Sequence, residues 1–145
     1  MIKKITLLYF MVLFSGSACA EKSISEIPLS VDSVQTHRVN KNLIRIIQHN
    51  MEMLPRLEIQ RLSTPDVKLV EKLVIEKIKL QNQVIDFSDS SGTFIDSLVL
   101  ENGVIKFSIE HSYSGTSGGE IFLDCTLDVK GNQFSQPVCV EKEGE

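Results

Sequence analysis

The sequence predicts an α+β protein, with an N-terminal amphipathic helix packed on one face of a four- to six-stranded antiparallel β-meander and one disulfide. Three observations lead there. Apolar residues recur at threes and fours between Val31 and Leu54, and from Gln83 onward the pattern changes to short alternating runs separated by turn residues. Two cysteines, Cys125 and Cys139, remain once the first twenty positions are set aside.

Residues 1–20 have the layout of a secretory signal peptide. Lys3 and Lys4 precede the apolar run Ile5 to Phe14, which is too short to span a bilayer and gives way to small residues. Ala18 and Ala20 stand in the A-x-A relation read by a general signal peptidase, so the mature chain is expected to start at Glu21. The competing lipoprotein reading, with lipid on Cys19, wants a Leu-like residue three positions earlier, where Gly16 stands. Either cut removes Cys19 from the thiol count and leaves an even pair in an oxidising compartment, periplasmic or secreted. Residues 21–30 read as a flexible leader and 31–145 as a single α+β domain, with no stable membrane span.

Val31, Val34, Val39, Leu43, Ile46, Ile47, Met51 and Leu54 form one apolar stripe, opposed by Asn40, Lys41, Arg45, Gln48 and Glu52. That pattern predicts a helix ending before Pro55. Thr64-Pro65-Asp66 reads as a helix start, with Thr as N-cap and Pro at the first helical position. The apolar spacing over 65–80 fits a helix at first and a strand from near Leu73, and the choice stays open. Strands follow over Val84–Ser88, Thr93–Glu101, Val104–Tyr113, Glu120–Val129 and Phe134–Val140.

Asn102-Gly103 predicts a two-residue type I′ turn, which sets Glu101 opposite Val104, Leu100 opposite Ile105 and Leu98 opposite Phe107. The inward face then collects Phe94, Leu98, Leu100, Ile105, Phe107 and Ile109, followed by Ile121, Leu123, Cys125, Leu127 and Val129. Such a one-sided sheet needs a cover, and the helix is expected to supply it. Phe134 and Cys139 have opposite parity, so a break near Pro137 is required before Cys139 can meet Cys125.

Charge is uneven within the chain's net −4: Arg38 to Lys79 holds nine Lys/Arg against five Asp/Glu, and Leu80 to Glu145 three against eleven. The C-terminal half would repel phosphate, which argues against nucleic acid and for a basic protein partner. Gly115-Thr116-Ser117-Gly118-Gly119 satisfies G-x-S-x-G, yet an alternating strand follows Ser117 and no histidine lies downstream, against a nucleophile elbow. A trypsin-like order of His37 or His49, then Asp86 or Asp96, then Ser117 exists, but the chain is too short for that two-barrel site. His37, His49 and His111 lack metal-ligand spacing, and Asp86, Asp89 and Asp96 miss the offsets of a calcium loop.

No catalytic group, metal or cofactor is therefore expected, and recognition is. The expectation is an exported protein-binding module, an inhibitor or immunity protein against a basic envelope-targeting enzyme. Its contact loop would hold Tyr113, Ser114, Gly115, Thr116 and Ser117, with Tyr113 as anchor and Glu110 and Glu120 steering the partner. The alternatives are a carrier of a small apolar ligand or lipid, with Phe87, Phe94, Phe107, Phe122 and Phe134 lining the cavity, and a non-catalytic envelope accessory subunit.

Overall fold

The computed structural model describes residues 28–114 and 118–142, so the expected signal peptide, most of the expected leader, residues 115–117 and residues 143–145 lie outside the described residues. The chain folds as β1 (Val31–Val39), β2 (Asn42–His49), β3 (Leu57–Leu62), β4 (Leu69–Ile75), β5 (Lys77–Lys79), β6 (Val84–Asp86), β7 (Ser90–Glu101), β8 (Val104–Tyr113), β9 (Glu120–Asp128) and β10 (Val138–Glu141). These make two four-stranded antiparallel sheets, ordered β1-β2-β3-β4 and β10-β9-β8-β7, and a separate β5-β6 hairpin. Among the described residues there is no helix, and the α+β expectation is corrected to all-β.

The expected N-terminal helix is a hairpin. Val39 pairs with Asn42 across the two-residue turn Asn40-Lys41, and Asn40 takes the positive φ of 54° that its short polar side chain tolerates. The helical reading fails because β2 is apolar on both faces. Ile44 and Ile46 point into the core while Leu43 and Ile47 point away from it, so "LIRII" shows no period of two. β-branching decides the conformation instead, since Val and Ile pack well on a pleated surface. Thr64-Pro65-Asp66 likewise belongs to the β3-β4 connection, where Ser63 N donates to Lys68 O at 2.8 Å, and the chain is extended from Leu69.

The C-terminal meander needs a cover, and the first sheet provides it. Ile44, Ile46, Leu57, Ile59 and Ile75 meet Ile95, Ile105, Phe107, Ile109, Ile121, Leu123, Cys125 and Leu127 in one hydrophobic cluster, with Ile78, Ile85 and Phe87 from the β5-β6 region joining it. Burying whole Ile, Leu and Phe side chains at roughly 1.5–3 kcal/mol each is what holds the two sheets face to face.

The β7-β8 turn is as the sequence predicts, with Asn102 at φ 49° and Gly103 at φ 72° and Glu101, Leu100 and Val99 opposite Val104, Ile105 and Lys106. Beyond Val99 the expected register breaks. Ser97 and Leu98 together face the single residue Phe107, and Ser97 adopts φ 53°, the geometry of a β-bulge. The extra residue inverts parity, so Ile95 enters the core and Phe94 turns outward, contrary to the predicted inward set.

In β9, Ile121, Leu123, Cys125 and Leu127 are buried, as is Val129 just after it, and Phe122, Asp124, Thr126 and Asp128 are exposed. Cys139 lies directly opposite Cys125 and is disulfide-bonded to it. The predicted interruption falls before Val138, and the terminal strand runs only from there. Phe134, outside any strand, packs under the guanidinium of Arg61 at 4.8 Å from the ring centre. Among the described residues no helix is long and apolar enough to cross a membrane, which leaves β-barrel spans unaddressed.

Candidate functional site

The β8-β9 hairpin carries every residue of the expected contact loop. Its neck is closed by Tyr113 N donating to Gly119 O at 3.0 Å, with Ser112 opposite Glu120 one step below. Gly115, Thr116 and Ser117 lie outside the described residues, and Ser114 is exposed at their border.

Strand parity divides this set. Tyr113 follows Ile105, Phe107, Ile109 and His111 along the core-facing side of β8, whereas Glu110 and Glu120 stand on the outer side. The Tyr113 ring meets the buried His111 edge-on at 4.9 Å, and its hydroxyl donates to Gln83 Oε1 at 3.4 Å. The anchor and the two steering carboxylates therefore sit on opposite faces of one strand. A residue count of three already implies this, because alternate strand residues share a face.

On the outer face, register lines up Phe94, Glu110 and Phe122 across β7, β8 and β9. Phe94 is 50 % and Phe122 42 % exposed, unusual for phenylalanine. The next row holds Asp96, Ser108 and Asp124, and beyond the bulge come Val99, Lys106, Thr126 and Val138. Lys142 Nζ reaches Asp124 Oδ1 at 3.0 Å and Ser108 Oγ donates to the same oxygen at 2.9 Å, which together hold the Asp124 carboxyl below its usual range. Lys106 is occupied by Glu101 at 3.0 Å. Asp96, Glu110, Glu120 and Asp128 have no lysine or arginine partner among the described residues.

Two buried polar clusters escape sequence reasoning. His111 is held by Thr93 Oγ1 at 2.9 Å, and that hydroxyl meets Ser90 Oγ at 3.0 Å. Burial pushes the His111 imidazole below its ordinary value, against the weaker pull of Asp89 and Asp86. Arg61, on the inner face of β3, pairs with Glu71 at 3.1 Å and donates to the Gly131 carbonyl, while Glu71 accepts from Phe134 N at 2.7 Å. This cluster ties the first sheet to the β9-β10 connection. Nothing in single-sequence spacing signals either cluster, because Thr93 lies 18 positions from His111 and the partners of Arg61 lie 10 and 70 positions away.

Of the residues that invite enzymatic readings, His37 meets Gln35 Oε1 at 3.3 Å and Asp86 binds Lys77 at 2.7 Å, His49 is buried 3.9 Å from Glu58 with neither ring nitrogen hydrogen-bonded, and Ser117 lies outside the described residues. Among the described residues no three His, Cys, Asp or Glu side chains gather as a metal site would need. The five phenylalanines share no common lining: Phe87 and Phe107 are core, Phe134 lies at its edge, and Phe94 and Phe122 face outward.

Fold and site together define a disulfide-closed antiparallel β-protein of two four-stranded sheets and a small hairpin, with an acidic, partly apolar outer face. The chain matches no protein-family model, no curated protein and no solved structure.

Proposed function

We propose that this protein is an exported, non-catalytic recognition module that binds a basic protein, in the manner of an inhibitor or immunity protein acting in the periplasm or outside the cell. The observation that carries this reading is the outer face of the β10-β9-β8-β7 sheet, where Asp96, Glu110, Glu120 and Asp128 stand without cationic partners among the described residues. Uncompensated carboxylates steer a cationic partner into encounter and tilt specificity toward it. The Cys125–Cys139 disulfide is compatible with an oxidising compartment. Glu120 is the first residue of β9, directly after the loop that follows Tyr113 in the chain, so a partner on this carboxylate would bind next to that loop in sequence.

The test is a pull-down from envelope extract with the oxidised protein as bait, followed by calorimetry on the captured partner. Deleting residues 114–119 is expected to weaken binding at least tenfold while the disulfide and the far-ultraviolet spectrum persist. A captured partner of acidic character, or unchanged affinity after the deletion, removes this reading. The carrier alternative has less support, because the phenylalanines it needs are divided between core and surface.

A further inference from the structure

We infer that the row Phe94, Glu110, Phe122 is an arginine-reading subsite, and that its occupant is an arginine-rich segment of a partner protein. The inference rests on the reading of the molecule as a binder of a basic protein, and it names the side-chain chemistry that the acidic face takes.

Three facts place the row. Phe94 is paired with Glu110, and Glu110 with Phe122, so the carboxylate rises between two aromatic side chains on the same face. With strands about 4.8 Å apart, the two phenylalanine Cα atoms are about 10 Å apart, which leaves room for one planar cation above the glutamate. Phe94 owes its outward position to the Ser97 bulge, and its ring lies over Gly92, where an added Cβ would come within 3.3 Å of Cε2.

Charge selects the occupant. The face's two lysines already serve Glu101 and Asp124, whereas Glu110 has no cation among the described residues. A carboxylate flanked by exposed rings suits arginine better than lysine, because guanidinium stacks on an aromatic face and forks onto a carboxylate, while ammonium remains a hydrated point charge. Val138 and Val140, 67 % and 62 % exposed on the same face, offer apolar footing for the rest of the segment.

The experiment titrates isotope-labelled, oxidised protein with deca-arginine and, separately, with deca-lysine, following amide and ring signals by NMR. Saturable shifts at Phe94, Glu110 and Phe122 are expected, with weaker binding of deca-lysine. Glu110→Gln should weaken deca-arginine about fivefold and Phe94→Ser with Phe122→Ser about tenfold, as expected for a partly exposed ion pair and two exposed cation–π contacts. Val70→Ser, exposed on β4 of the other sheet, should leave the affinity unchanged. Unaltered shifts in Glu110→Gln, where fold is preserved by an isosteric change, overturn the inference. So does a response confined to Tyr113, Ser114 and Gly119, which would leave the basic-partner reading standing, or no response to either peptide, which would weaken both. Concentration-dependent shifts at the same three residues without peptide, with a dimer in sedimentation, would assign the face to a second copy and also overturn it.

Discussion

Ser97 shows how much one residue can move. Its φ of 53° makes the bulge, and the bulge alone turns Phe94 to the surface and Ile95 into the core. Ser97→Gly should stabilise by roughly 1 kcal/mol in chemical denaturation, because glycine adopts positive φ without penalty. Gly103→Ala should do the reverse and cost more, since φ there is 72° and the new Cβ would collide with the Lys130 side chain. His111 and Asp86 both act on the acid side of the pH profile, in different ranges. The folded state favours neutral His111, so stability should be full above pH 6.5, the ordinary histidine value, and fall as pH drops below it. His111→Gln should flatten that fall in denaturation midpoints measured from pH 7.5 to 5. Lys77 and Ser88 hold the Asp86 carboxyl at about 2, below its ordinary 3.8, so its contribution is present above that value and lost as pH falls toward 2.

At the scale of elements, the C-terminal meander was legible and the N-terminal half was not. β8 and β9 alternate strictly because one face meets the core and the other meets water, and the register from Asn102-Gly103 followed from turn geometry. β2 lacks that contrast: "LIRII" carries apolar residues on both faces, and a pattern without period two imitates a helix. The terminal strand depends on tertiary ties. Removing the disulfide, which joins residues 14 positions apart, should cost about 3 kcal/mol in the chain-entropy model, read as a shift in denaturant midpoint on reduction. Arg61→Ala should cost about 3 kcal/mol as well, because it strands Glu71 and frees Phe134 and the Gly131 carbonyl together. Comparing the two variants separates the covalent from the ionic restraint on β10.

Across the whole molecule, the charge asymmetry seen along the chain becomes an asymmetry in space. The basic segment builds the first sheet and the acidic segment the second, so the outer face of the β7–β10 sheet is left with surplus carboxylate. Binding of a basic partner should weaken several-fold between 50 and 300 mM salt, in calorimetry at fixed pH, because the screening length shrinks from about 14 Å to about 6 Å over that range. Salt-independent affinity would show that the carboxylates take no part.

By itself the sequence determined what depends on neighbours in the chain: a β-rich C-terminal half, the Asn102-Gly103 turn, the inward set of β9 and the pairing of two leftover cysteines. It also established that the meander required a cover. What that cover is and which way Phe94 points were settled by tertiary structure and by one bulge. The physical reason is that a strand's hydrophobic pattern records how many of its faces are buried, not what buries them, and a single inserted residue reverses every assignment beyond it.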